Sequence, residues 1–413
     1  MFKLFNTLGN KIETFRPTHT PTHTPAHTPV VTIFTCGPSI YQKAHIGNFR
    51  TFLFEDILVR YLEYSGYTVT RGMNFTDIEE KAIVEAKKRN IDVKRLTEDN
   101  IAEFLKEMAL LKMKIPEYLP RASESVGEAV KIIQLLINAG IAYWHQGNVY
   151  FDPLKYPGFG KLYGLDMTKW PRQKRRFHKD TYPGIQWNLG DFILWHGDKK
   201  NETVSWDTEI GRGRPAWNIQ DPAMIWPHFH ETLAIYCGGI DNLYRHHDYT
   251  LSILESITPY RMAKFWLHCQ HLLVKGQKMS KSKGNVCYTD TLLSQGYSAA
   301  EIRFFLIYGH YRSRLNYSPD AMIKMTAKLR GMKSIISRIE KQAGSETDQA
   351  TKLARQLKET FSAGMDKDLN VKEAFDGLTK ILSGLELSGL KADEASGIMA
   401  ALREIDGVLQ MIF

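Results

Sequence analysis

Residues 30–66 read VVTIFTCGPSIYQKAHIGNFRTFLFEDILVRYLEYSG. Val30 to Thr35 are mostly β-branched or aromatic, the composition of a buried strand in a parallel sheet. The turn CGPSIYQKAHIGN follows. Phe52, Ile57, Leu58, Tyr61 and Leu62 then recur at helical spacing, and Gly66 is a suitable terminator. TVTRGMNFT (68–76) reads as a second strand, after which IEEKAIVEAKKRN resumes helical patterning. Strand, helix, strand predicts a crossover unit, hence an α/β fold with a Rossmann-type doubly wound parallel sheet.

Outward from this unit, residues 83–140 read as mostly helical, with a capping box expected at Ser125–Glu128 ahead of AVKIIQLLINAG. Residues 141–200 break into short strands and turns, so an inserted subdomain is expected over about 115–200. TLAIYCGGID (232–241) reads as strand and glycine turn. From Ser318 the pattern is purely helical. Met322, Met325, Leu329, Met332, Ile336 and Ile339 step by three and four as a packing stripe. A polar segment near Gly344–Thr351 leads to two or three more helices. The expected division is 1–317 for the sheet domain and 318–413 for a C-terminal helical bundle. PTHTPTHTPAHTP (17–29) places His19, His23 and His27 at fixed spacing. A metal tract is one reading; we read an extended loop stiffened by proline.

At 413 residues the chain is long enough for two or three domains. Apolar residues form 43% and charged residues 24%, as in ordinary globular proteins. No apolar run approaches the roughly 20 residues that cross a bilayer, and the start lacks a secretory signal. No membrane partner and a cytoplasmic location are therefore expected. The four cysteines, Cys36, Cys237, Cys269 and Cys287, form no CxxC pair and are expected as reduced thiols. A net charge of +9 suits a polyanionic partner such as tRNA or ATP, or simply a basic enzyme.

Two short motifs carry the chemistry. His45-Ile46-Gly47-Asn48 sits between first strand and first helix, placing an imidazole and an amide where free backbone N–H groups attract phosphate. There Gly47 would admit an adenine ring close to the backbone. Lys278-Met279-Ser280-Lys281-Ser282 follows a late strand, and its ammonium groups suit the phosphates of ATP. Either tetrapeptide alone arises by chance; both in this strand–helix context are specific.

Together they resemble the two signature sequences of class I aminoacyl-tRNA synthetases, and the cysteinyl branch in particular. The resemblance runs through FNTLGNKIETFRP, CGPSIYQKAHIGNFRTF, NFTDIEEK, PRASE, DFILW, GRPAWNIQDPAM, CGGIDNLYRHHD, KMSKSKGN and GHYRSRLNYS, and more loosely through MDKDLNVKEAF. It implies attack of an amino-acid carboxylate on the α-phosphate of ATP, with Mg²⁺ on the phosphates, followed by transfer to tRNA. The catalytic candidates are His45, Asn48, Lys278 and Lys281, and Gly47, Gly238, Gly239, Asp241 and Lys281 are the candidates for holding ATP. The attacking carboxylate is already ionised at neutral pH, so no general base is needed.

The resemblance also implies an amino-acid pocket of Cys36, Thr76, Trp217, Asp221 and His246, and a zinc ion that reads the substrate thiolate. The family's ligands are two Cys, one His and one Glu. Here Cys36 and His246 are retained, Asp221 stands at the second cysteine and Thr250 at the glutamate. Cys36, Asp221 and His246 are thus a candidate zinc set with one position open, although an oxygen in place of a thiolate weakens such a site. His247, His228, His230 and Cys237 are nearby in sequence and could substitute for the two lost ligands. We read Cys36 as a small buried residue with no metal bound. Asp221 would then suit a cationic or hydrogen-bond-donating side chain, with adenylation kept and the amino acid changed. The alternative is an inert carboxylate with cysteine still used. The basic stretch TKWPRQKRRFHKD (168–180) suits an RNA end or a solvated loop equally. Two further readings stay open. The helical part ends at Phe413 without the small domain many bacterial members append, as in the mycothiol-pathway ligases that use a sugar amine. A non-catalytic RNA-binding paralogue is the other reading, and the intact motifs speak against it.

Overall fold

The computed structural model describes residues 1–17, 29–169, 190–198, 204–279, 284–344 and 351–413. The histidine repeat, the basic stretch from Arg172 to Lys179, and Lys281 lie outside these residues. An N-terminal hairpin, β1 (Lys3–Asn6) and β2 (Lys11–Thr14), precedes the central sheet. The predicted first strand forms as β3 (Val30–Thr35), and the helix after it as α1 (Ile46–Tyr64). The chain returns as β4 (Thr68–Met73), parallel to β3 with Val30 opposite Thr68. The later strands β9 (Leu233–Gly239) and β10 (Ala263–Cys269) complete a parallel sheet of order β10–β9–β3–β4. The β3 strand therefore has its successor on one side and a much later strand on the other. Such a reversal opens a crevice at the carboxyl ends of the two strands, where parallel sheets place ligands.

Between β4 and β9 lie α2 (Glu80–Arg89), α3 (Val93–Leu110) and α4 (Val126–Asn138). An antiparallel sheet follows, β5 (Ala142–His145), β6 (Asn148–Phe151), β7 (Phe192–Gly197) and β8 (Gly213–Pro215), in that order, and then α5 (Trp217–Ile225). The expected capping box ahead of α4 does not form. Ser125 donates its hydroxyl to the Arg121 carbonyl (2.9 Å) instead. A 3₁₀ turn over Ala122–Glu124 runs straight into the helix, leaving Ser125 at φ −106, ψ 16, not the extended backbone an N-cap side chain needs.

After α6 (Asp248–Ile257) and β10 come β11 (Leu272–Val274), β12 (Gln277–Lys278), α7 (Thr289–Ser294), α8 (Ala299–Tyr308) and β13 (Leu315–Tyr317). The helices α9 (Pro319–Glu340), α10 (Lys352–Met365), α11 (Val371–Ser383) and α12 (Ala392–Leu409) form the C-terminal bundle. The α9 stripe is buried as expected except that Met325 is half-buried and Thr326 turns inward beside it. One apolar cluster runs without a break from the sheet through α1 into the bundle. Two buried arginines reinforce that junction. Arg50 on α1 donates to the carbonyls of Gln270, Leu306, His310 and Ser313. Arg303 on α8 pairs with Asp56 (2.6 Å) and donates to Leu409 and Leu111. The N-terminal hairpin also reaches the bundle. Lys3 N donates to Asp366 O (3.0 Å), and Phe5 N to Asp368 Oδ1 (2.8 Å). Among the described residues, no helix is long and apolar enough to cross a membrane.

Candidate active site

His45 is the N-cap of α1, with extended backbone at φ −104, ψ 168. Its Nδ1 accepts from Asn48 N (3.2 Å), and Asn48 Oδ1 accepts from His45 N (3.0 Å). This reciprocal pair satisfies two donors that a helix start leaves orphaned. An accepting Nδ1 places the proton of the neutral ring on Nε2, so the imidazole presents a donor. Gly47 makes the fold-back possible: a Cβ there would lie 3.0 Å from two atoms of the His45 ring. The space at Gly47 is thus filled by His45 itself, beside Met279 of the second motif. Across the crevice, Lys278 Nζ lies 3.6 Å from Asp241 Oδ2, both half-exposed. Gly238 and Gly239 end β9, and a Cβ on Gly239 would meet Asp241 Oδ1 at 2.7 Å. The second motif and the glycine turn are therefore brought together by side chains 37 positions apart in sequence (278 − 241).

The second half of the site lies deeper. Cys36 caps β3 and is tied to β9 through Cys36 N to Cys237 O (2.9 Å). Its thiol accepts from Asn242 Nδ2 at 3.4 Å. Burial pushes this thiol well above the usual cysteine range, and the Asp221 carboxylate adds to the effect. Asp221 on α5 is fully buried. Its Oδ1 accepts from Asn74 Nδ2 (3.0 Å) and its Oδ2 from the Tyr236 hydroxyl (2.9 Å). His246 Nε2 is also 2.9 Å from Asp221 Oδ2, but at an angle that makes no hydrogen bond. Trp217 lies flat on the His246 ring, with centroids 3.9 Å apart and planes at 11°. Thr76 accepts from Asn74 Nδ2 at 3.3 Å and closes the cluster. The five sequence-predicted pocket residues thus gather around the ends of β3, β4 and β9 and the start of α5. Thr250, at the family's glutamate position, donates its hydroxyl to the His246 carbonyl (2.8 Å) and so serves the backbone.

Do these residues suit the zinc ion implied by the resemblance? Cys36 and one ring nitrogen of each of His246 and His247 lie within 4.8 Å of one another. Neither nitrogen of His246, nor Nε2 of His247, has a hydrogen-bond partner among the described residues. Buried orphan nitrogens beside a thiol fit a metal-ligating set. Sequence reading missed Asn74, Tyr236 and Asn242, which hold the cluster, and the buried chain His247–His268–Thr7 behind it. The adjacent pair His246-His247 was the one visible signal; the others meet only in the folded chain.

Comparison with known proteins agrees with this geometry. The family described as "tRNA synthetases class I (C) catalytic domain" matches residues 22–327. The cysteine–tRNA ligase of Chlamydia pneumoniae is 34% identical over 421 residues, covering 99% of this chain and 86% of that protein. The cysteine–tRNA ligase of Leptospira interrogans is 33% identical over 420 residues, covering 99% and 87%. Among solved structures, Mycobacterium tuberculosis methionyl-tRNA synthetase in complex with methionyl-adenylate superposes with a TM-score of 0.64, covering 92% of each chain at 13% identity. That last likeness is one of fold alone. With the family match spanning most of the chain and the signature imidazole in place at the head of α1, this protein belongs to the cysteine–tRNA ligase family of class I aminoacyl-tRNA synthetases.

Proposed function

We propose that the chain joins cysteine to ATP as an aminoacyl-adenylate, releasing pyrophosphate, and then transfers the aminoacyl group to tRNA. The observation that carries this reading is the capped imidazole at the N-terminus of α1, with Met279 of the second motif beside Gly47 and Lys278 paired with Asp241. In the first step a carboxylate oxygen attacks the α-phosphorus and the bond to the leaving pyrophosphate breaks. Charge accumulates on phosphate oxygens, so the protein's task is positioning and electrostatic stabilisation. His45 Nε2–H and the free N–H groups of α1 face that charge from one side. Lys278, beside Asp241, is assigned to the same phosphates, as is Lys281 from the resemblance of its motif, and Mg²⁺ would supply further neutralisation when bound. Asp241, with Gly238 and Gly239, is assigned to the ribose, and Asn48 holds His45 in place.

Cysteine is preferred over a cationic substrate for a specific reason. Both oxygens of Asp221 already accept hydrogen bonds from Asn74 and Tyr236, which leaves the carboxylate committed to the pocket wall and away from a substrate ammonium group. Cys36, His246 and His247 would hold a zinc ion here, and that ion would supply a Lewis acid for the substrate thiolate. The catalytic part is assigned to residues 1–317 and tRNA binding in part to the bundle 318–413. The test is ATP–pyrophosphate exchange with each common amino acid, followed by charging of tRNA. Cysteine-dependent exchange is expected; exchange with a different amino acid alone would overturn the substrate, and none with any would overturn the reaction.

A further inference from the structure

We propose that His247 completes a divalent-metal site with Cys36 and His246, and that a buried chain through His268 to Thr7 aims its Nε2 into that site. This differs from the two-cysteine, one-histidine, one-glutamate pattern of the family. It deepens the reading of the amino-acid pocket and rests on it only for the purpose of the metal.

Several independent features converge. Cys36, His246 and His247 are 7%, 1% and 0% exposed, so water cannot serve their ring nitrogens and thiol. Their ligand atoms cluster within 4.8 Å. His246 Nδ1, His246 Nε2 and His247 Nε2 have no hydrogen-bond partner among the described residues. Buried imidazole nitrogens left this way are costly unless a cation occupies the lone pairs. The other nitrogen of His247 is committed: Nδ1 lies 2.8 Å from His268 Nε2. His268 Nδ1 in turn lies 2.8 Å from Thr7 Oγ1.

Proton counting along this chain has two solutions for neutral rings. In one, Thr7 donates to His268, His268 donates to His247, and an N–H is left on His247 Nε2 with no acceptor. In the other, His247 Nδ1–H donates to His268 and His268 Nδ1–H donates to Thr7, leaving a bare lone pair on His247 Nε2. The second is the tautomer a metal ligand requires, and a fixed partner on the far nitrogen is the usual outer support of such a ligand.

The backbone is shaped for the same end. Arg245, just before the histidine pair, sits at φ 76, ψ −67, a strained conformation that turns both imidazoles inward. Thr250 fixes the His246 carbonyl. Gly238 leaves the room that the His247 ring takes: a Cβ there would be 2.9 Å from His247 Nε2 and 3.3 Å from Cys36 Cβ. One thiolate and two imidazoles leave a fourth position of a tetrahedral ion open to substrate. Asp221, held by Asn74 and Tyr236, lies 2.9 Å from His246 Nε2 without a hydrogen bond, and its carboxylate places negative charge beside the cluster.

The test uses the full chain and two ions, Zn²⁺ and Co²⁺. Metal content after dialysis should be about one per chain, with one sulfur in the zinc X-ray absorption shell. The cobalt form should show a thiolate charge-transfer band that disappears in Cys36→Ser. His247→Asn should weaken zinc binding at least about 100-fold, and His268→Gln by about 10- to 100-fold. Thermal melts of the metal-free variants report folding separately, and Thr7→Val, remote from the ion, should weaken binding several-fold if His247→Asn does not fold. Zinc bound as tightly by His247→Asn as by the parent, a shell without sulfur, or no metal uptake would overturn the proposal. Metal uptake without any exchange activity would sink the proposed function and support this site; exchange in protein that takes up no metal would do the reverse.

Discussion

Replacing His45 separates its two roles, because one substitute keeps the cap and another does not. In the structure its Nδ1 receives Asn48 N at 3.2 Å, while Nε2–H is the group assigned to phosphate. His45→Ala removes both. Loss of a helix N-cap costs about 1 kcal/mol, which in a chain of this size lowers Tm by about 1–2 °C. His45→Asn supplies one of the best capping side chains, whose oxygen can accept from Asn48 N, so its Tm should stay within about 0.5 °C of the parent. Asparagine is too short to place a donor where the imidazole edge lies. Both variants therefore lose one donor to the developing charge, worth roughly 10²–10³ in kcat. The assay is ATP–pyrophosphate exchange at saturating ATP, with KM for the amino acid measured in parallel. That KM should hold, since His45 lies outside the Cys36–Asp221 pocket. If His45→Asn keeps kcat within about five-fold of the parent while His45→Ala melts early, His45 is a cap and nothing more.

Three other outcomes follow from the geometry. Arg50→Met strands four backbone carbonyls at the junction of α1 with the segment after β10; chemical denaturation should show a loss of about 4 kcal/mol or more, and a loss under about 1 kcal/mol would refute the role given to it. Lys278→Ala breaks a half-exposed pair with Asp241, so stability should change by less than about 1 kcal/mol while kcat for exchange falls at least about ten-fold; an unchanged kcat would remove Lys278 from the site. Burial lifts the Asp248 carboxyl to about 7, well above its ordinary value, even with backbone N–H groups of Tyr163, Leu162 and Gly160 donating to it. A raised folded value means its stabilising contribution is full below about pH 4 and is lost as pH rises through about 7. Asp248→Asn should therefore gain on the parent, in urea melts, between about pH 5 and pH 8; a gap that stays constant across that interval contradicts the burial argument.

The sheet was legible because its strands announce themselves locally. Val30–Thr35 is apolar on both faces, and α1 begins and ends where His45 and Gly66 place it. Ser125 shows the limit of such reading: the right residues at the right spacing made no box, because the preceding 3₁₀ turn fixed its backbone first. Met325 yields its inward place on α9 to Thr326, a shift of one residue that a stripe of periods three and four tolerates. At the site, both signatures could be read, yet the role of Gly47 could not. The turn of the His45 ring over Gly47 depends on the cap geometry. Asp221 was visible as a departure from the family pattern, but its engagement with Asn74 and Tyr236 was not, since one follows β4 and the other lies within β9. The His268–Thr7 link spans 261 positions, beyond any local pattern.

The hairpin at the chain's start has a consequence for how the protein is made. Lys3 and Phe5 find their partners in Asp366 and Asp368, and Phe5 and Asp368 are 363 residues apart. At ribosomal speeds of about 5–20 residues per second, the nascent hairpin waits roughly 20–70 s for them. The strands β3 and β4, with α1 between them, can pair long before that. This early segment is therefore among the last to be locked, and the Thr7 end of the histidine chain settles only after β10 has arrived to receive it. The order of synthesis and the order of assembly run in opposite directions at this edge. The hairpin therefore docks on β10 first and gains its bundle contacts only when the segment around Asp366 is made.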